Sequence, residues 1–206
     1  MSDFLGRLLA ELAASGPPEL IAVFLGLAYL VLAARLSIWC WPAAFVSVAI
    51  YLWLFFEHQL YQQALLQVFY LVMAVYGFMK WRTGLEEPDA AIRRWGAREH
   101  AVAVVAVLVL TLVTGALEAQ FTDARFPYLD AFTTWGSVVT TWMVTRRVLE
   151  NWLYWIVVDS VMVYVAFASG LVATAGLFFV YLGIVVAGYF AWRRRLGTVT
   201  ADAVAT

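Results

Sequence analysis

Residues 70–82 read YLVMAVYGFMKWR, and residues 181–193 read YLGIVVAGYFAWR. The two stretches lie 111 residues apart and share Tyr, Leu, Val, Gly, Trp and Arg in register. Extended backwards without a gap, the same shift sets Arg35 on Arg146, Trp41 on Trp152 and Phe56 on Phe167. Of the 48 pairs between Arg35 and Arg82, 13 are identical. Aliphatic matches are expected between any two apolar helices. The matched Trp, Tyr, Gly and Arg positions are not, and they point to an internal duplication.

The chain that carries this repeat has 206 residues, 65% hydrophobic and 13% charged. A soluble domain carries roughly a quarter charged residues, so the composition is that of an integral membrane protein. A helix needs about 20 apolar residues to cross the bilayer, and seven such runs occur, near 19–36, 38–56, 60–80, 99–117, 127–146, 150–168 and 171–192. They are long and continuous, without the alternation of an outer-membrane barrel. The fifth is the least apolar, with four threonines and with Asp130 near its start.

Each repeat unit spans three of these runs, and equivalent runs are four apart, an even number, so the two units point the same way. The expected fold is therefore all-α, seven transmembrane helices in a 3+1+3 parallel repeat. Its parts are an N-terminal lead-in (1–18), a first three-helix repeat (19–82), a loop and linker helix (83–126), a second repeat (127–195) and a disordered tail (196–206). The lead-in lacks the features of a secretory signal and is stopped by Pro17 and Pro18.

Lysines and arginines accumulate in the loops that face the cytoplasm. Eleven of the 13 fall on one side of the expected topology, including Arg35, the 80–98 cluster, Arg146–Arg147 and Arg193–Arg195. The N-terminus is expected outside and the C-terminus in the cytoplasm, in a multi-pass inner (plasma) membrane protein. A net charge of −1 gives no sign of a nucleic-acid partner, and the single cysteine, Cys40, excludes an intrachain disulfide and a Cys-based metal cluster. No metal-ligand spacing, Ser/His/Asp arrangement or glycine-rich phosphate loop occurs, so neither an enzyme nor a bound metal or cofactor is expected. A retinal Schiff base needs a lysine deep in the last span, and the only lysine, Lys80, ends the third.

Ionisable groups inside a membrane are costly and mark function. Asp159, near ten residues into span 6, is the deepest acid. It follows Trp152 and Trp155 in the stretch ENWLYWIVVD (150–159), and the i, i+3, i+7 spacing sets all three on one side of the helix. An aromatic face attracts a desolvated cation by roughly 2 kcal/mol, and a carboxylate adds counter-charge, with Asn151 as a further polar group. In span 3, Gln67 and Tyr70 share a face with Gln63; in span 5, Thr134 and Thr141 share one with Ser137. Single threonines commonly bond their own helix, but three polar faces point to a lined cavity. Trp152 has Trp41 as its counterpart, so it can also serve the scaffold. Trp155 and Asp159 align with Ala44 and Val48 under the same shift, break the symmetry, and are the strongest candidates.

The ENWLYWIVVD segment, the span 3 stretch LLQVFYLVMAVYGFMKW and the closing YLGIVVAGYFAWRR of span 7 resemble the PnuC family of vitamin transporters. The resemblance covers spans 2–7. It implies the same 3+1+3 bundle, related in plan to the small SWEET sugar transporters and often assembled as a homotrimer. It also implies facilitated uptake of nicotinamide riboside, trapped by a separate kinase and feeding pyridine nucleotide biosynthesis, with relatives for thiamine and riboflavin. The family's aromatic pair falls on Trp152 and Trp155, and one of its amides on Gln67. Met73 and Ala74 depart from the pattern where another amide is expected, which leaves the choice of vitamin open.

Overall fold

The structure is a computed structural model and describes residues 16–59, 61–83 and 92–204. Most of the expected lead-in, residues 1–15, lies outside the described residues. Among the described residues seven helices follow one another: α1 (Pro17–Ala34), α2 (Cys40–Glu57), α3 (Tyr61–Thr83), α4 (Ala97–Phe121), α5 (Pro127–Thr145), α6 (Asn151–Ala168) and α7 (Val172–Val204). Proline opens α1 and α5, where its missing N–H costs nothing. The Glu99 carboxylate accepts the Gly96 N–H at 2.6 Å at the start of α4.

Six of these helices are long and apolar enough to cross a membrane; α5 falls short. The reason lies in its position. It packs on α3, α4 and α6 and buries Ala131, Thr133, Gly136, Thr140, Thr141, Met143, Val144 and Thr145, so little of it faces lipid. Thr133, Thr140 and Thr145 donate to carbonyls of their own helix, as in Thr140 to Gly136 O at 2.6 Å. By contrast α4 buries only Ala103, Val107, Thr111 and Gly115, a single i, i+4 stripe. Valines and leucines cover its remaining, exposed surface. That stripe lies on α5, where a Cβ at Gly115 would meet the Tyr128 ring at 2.6 Å.

Residues 111 apart recur in equivalent geometry. Helix α1 ends with Leu36 at φ 57° and α5 with Arg147 at φ 53°. Both turns close with the same bonds. Ser37 N–H reaches Leu32 O at 2.9 Å and Val148 N–H reaches Met143 O at 3.0 Å, beside Leu36 to Ala33 and Arg147 to Val144. This double bond pattern satisfies the last carbonyls of a helix, usually with glycine at the left-handed position. Here a side chain is kept at that strained position. Leu36 packs on the core, and Arg147 lies 4.8 Å over the Trp81 ring.

The core gathers at the arginine-rich end: Ala33, Cys40, Trp41, Ala74, Trp81, Ile92, Val144, Leu149, Trp152, Val185 and Trp192. Trp41 meets Trp81 edge-on at 5.4 Å and 89°, and Trp152 meets Trp192 at 5.4 Å and 88°. Trp41 and Trp152 each rest on a glycine. A Cβ at Gly77 would fall 2.5 Å from Trp41, and one at Gly188 would fall 2.7 Å from Trp152. Helix packing in lipid rests on such close fit with small residues.

The tail departs from expectation. Helix α7 continues through Val204, where residues 196–206 are expected to be disordered. Nothing after Trp192 stops it: the only breaker is Gly197, and a lone glycine costs a helix about 1 kcal/mol.

Candidate functional site

Two helix contacts join segments that the 111-residue shift relates. Besides neighbours in sequence, α3 packs on α5 and α7 packs on α1. Those two contacts are equivalent under the 111-residue shift. At each, a tyrosine that is the tenth residue of its helix reaches the neighbouring α1 or α5. Tyr181 of α7 sets its hydroxyl 3.2 Å from where a Cβ on Gly26 of α1 would lie, and Ser47 Oγ is 3.6 Å from the same point. Tyr70 of α3 faces Ser137 of α5, and position 137 is position 26 shifted by 111.

Asp159 adds charge to one of these places only. It lies eight residues beyond the start of α6, about 12 Å along the axis, near the middle of a hydrocarbon core about 30 Å thick. It is 3% exposed and within electrostatic reach of Tyr181, as is Tyr51. Ser47 donates to the Ala22 carbonyl at 2.7 Å. Four helices thus converge here, through Gly26, Ser47 and Tyr51, Asp159, and Tyr181. Phenols and a hydroxyl can donate to a carboxylate or to a solute; the carboxylate can balance a cation.

The other candidates divide. Trp152 is 1% exposed, pressed between Gly188 and Trp192, with no free face. Asn151 is also buried at the arginine-rich end; its Nδ2 donates to Val148 O at 2.6 Å and its Oδ1 has no partner. Trp155 is half-buried and packs against the same core. Tyr70 lies in the second polar contact, close to Tyr29. Gln67 and Thr134 are partly buried on α3 and α5, and Thr141 is buried on α5. A recess of about 650 Å³ opens between α3, α4 and α5, lined by Phe69, Trp95, Arg98, Glu99, Val102, Ala103, Val138, Val139 and Trp142. None of the eight expected residues lines it.

Sequence reasoning missed Tyr181, Gly26, Ser47 and Tyr51. The pairing of Tyr70 with Tyr181 was the available signal. Carrying the shift nine residues upstream of Arg35 would have paired Gly26 with Ser137.

The chain is similar to known proteins along most of its length. The chain is 22% identical to a solved chain described as the crystal structure of the vitamin B3 transporter PnuC. The two superpose with a TM-score of 0.70 over 95% of this chain and 89% of that one. It is 28% identical over 181 residues to the riboflavin/roseoflavin transporter RibM of Streptomyces davaonensis, covering 86% of this chain and 84% of that protein. It is 25% identical over 203 residues to the nicotinamide riboside transporter PnuC of Escherichia coli, covering 84% of each. The family model described as nicotinamide mononucleotide transporter matches residues 17–194, and the chain belongs to that family of membrane transporters.

Proposed function

We propose that the protein carries a vitamin-type nucleoside, nicotinamide riboside, inward across the plasma membrane by facilitated diffusion. The two three-helix halves, arranged 3+1+3 around the linker α4 on a SWEET-like plan, rock about the site between them and expose it to each side in turn. The arginine-rich end faces the cytoplasm, with the N-terminus outside, and three copies assemble in the membrane.

The observation that carries the solute assignment is Asp159. It is a mid-depth carboxylate, 3% exposed, within electrostatic reach of the Tyr181 phenol, and its counterpart in the other half is Val48. An intramembrane acid is kept only where it has a use, and a cationic pyridinium supplies the counter-charge. Trp155, on the same side of α6, offers a ring face, and Tyr70, Gln67, Thr134 and Thr141 add polar groups along α3 and α5. Trp152 and Asn151 support that wall from the arginine-rich end.

The similarity to RibM favours a second reading, a neutral flavin as the solute. Calorimetry of the purified protein with nicotinamide riboside, thiamine and riboflavin separates them. Binding of riboflavin alone overturns the cationic assignment, and binding of thiamine alone moves it to another cation.

A further inference from the structure

At the arginine-rich end the two halves are joined by two indoles. Trp81, in the last turn of α3, donates Nε1–H to the Thr145 carbonyl at the end of α5, 3.2 Å away. Trp192 stands at the equivalent place on α7 and donates to the Ala33 carbonyl at the end of α1, at 3.0 Å. Each bond crosses from one half to the other. Each accepting carbonyl is among the last four of its helix, and Ala33 O takes the Trp192 indole in addition to the Leu36 N–H at 2.9 Å.

The two rings also touch, at 6.3 Å and 50°, and they are 1% and 0% exposed. Trp41 and Trp152 brace them edge-on from either side, so four indoles run as one row across the bundle. The bracing pair differ from the inner pair in one respect: Trp41 Nε1 and Trp152 Nε1 have no hydrogen-bond partner. They supply shape, whereas Trp81 and Trp192 supply the bonds between halves. The second half adds Arg147, whose Nη2 donates to the Trp81 carbonyl at 3.3 Å.

We propose that Trp81 and Trp192 form the gate that closes the path between the halves at the arginine-rich end, and that solute leaves on that side only when both indole bonds to Thr145 and Ala33 break. The two bonds are weak enough to exchange for water, and the glycines beneath Trp41 and Trp152 hold the row in one arrangement. The gate deepens the rocking mechanism proposed above, and rests on it, by naming the residues that part.

The chain contains its own reporter. Cys40, its single cysteine, is 0% exposed in the same cluster. Full-length protein in proteoliposomes is treated, without solute, with a membrane-impermeant maleimide added on one side. Trp81→Phe and Trp192→Phe keep a ring but lose the bond, and each should speed Cys40 alkylation from the arginine-rich side about two- to tenfold, the span of one net hydrogen bond. Trp152→Phe, which loses no bond, should stay close to the parent rate. Unchanged rates in both gate variants overturn the proposal, as does an equal gain in Trp152→Phe or a gain confined to the opposite side. Should one gate variant misfold, the other decides. Because no solute is present, a wrong solute assignment in the calorimetric panel leaves this result unaffected, and a failed gate leaves that panel unaffected.

Discussion

The hydroxyl of Tyr181 on α7 stands over Gly26 on α1, 3.2 Å from where a Cβ would begin. The contact joins the last helix to the first and brings the second half's tyrosine into the first half beside Ser47. In the related contact the residue under Tyr70 is Ser137. The duplication therefore keeps the tyrosine and varies what lies beneath it. Glycine leaves space on the side that holds Asp159; serine fills it on the other.

Filling that space tests whether it is used. Gly26→Ser restores in the first half the residue present in the second, and the fold is expected to tolerate it. Gly26→Val places two further methyls against the Tyr181 hydroxyl and Ser47, an overpacking that costs about 1–3 kcal/mol. Solute binding should weaken in the order Gly26, Ser, Val while the Ser variant keeps the parent melting temperature in detergent. Equal affinity in all three would mean the solute does not enter between Tyr181 and α1.

Asp159→Asn keeps the size and a hydrogen-bonding group but removes the charge. Nicotinamide riboside and thiamine are cations, so their binding should fall about tenfold or more, because a counter-charge in a poorly screened site is worth more than ~1.4 kcal/mol. Riboflavin is neutral and should lose far less. Titrating the three vitamins against parent and variant reads the difference directly. A uniform loss across all three would assign Asp159 to packing, not to charge recognition.

The two glycines under the outer tryptophans should behave as a matched pair. Gly77→Ala brings a methyl to 2.5 Å from Trp41, and Gly188→Ala brings one to 2.7 Å from Trp152. Both rings are buried and have nowhere to move, so each substitution should destabilise by about 1–3 kcal/mol. Thermal unfolding of the two single variants in the same detergent checks the equivalence. A large effect at one glycine and none at the other would show that the halves are packed differently.

How far these contacts could be read from the chain depends on which force sets them. Helix bounds follow hydropathy and proline, so the seven runs fall within a few residues of the helices found, apart from the long end of α7. The repeat was legible because Gly77 and Trp41 recur together as Gly188 and Trp152, a ring and the notch it needs. What the i, i+3, i+7 spacing of Trp152, Trp155 and Asp159 does not tell is what their shared side meets. Trp152 meets Gly188 and Trp192, and Asp159, two turns deeper, is within electrostatic reach of Tyr181. A helix face is a local property, whereas its partner is set by how the halves dock. For the same reason the polarity of α5 could be seen but not its cause, burial among three helices.

The halves also differ at the arginine-rich end, in what holds their turns. Residues 92–95 ahead of α4 lie along the α5–α6 turn: Arg93 N–H reaches Arg147 O at 3.1 Å and Leu149 N–H reaches Arg93 O at 2.9 Å. The Glu150 carboxylate, 6% exposed, takes Arg94 Nε at 2.8 Å and Trp95 N–H at 3.2 Å, and it holds the Arg94 guanidinium ionisation above its ordinary value. The residue 111 positions earlier is Trp39, which is 69% exposed, so among the described residues the segment ahead of α4 clasps the α5–α6 turn and no such fastening holds the α1–α2 turn. Glu150→Ala removes both acceptor oxygens, and the amides of Arg93, Trp95 and Leu149 should then exchange about tenfold faster or more, as expected for the loss of a bond to a charged group. The amides of Leu36 and Ser37 should not change. Measured by hydrogen exchange in detergent, equal acceleration in both turns would mean that Glu150 stabilises the whole end of the bundle. Acceleration confined to the second turn would leave the first half as the part free to rock while α4 holds its neighbour still.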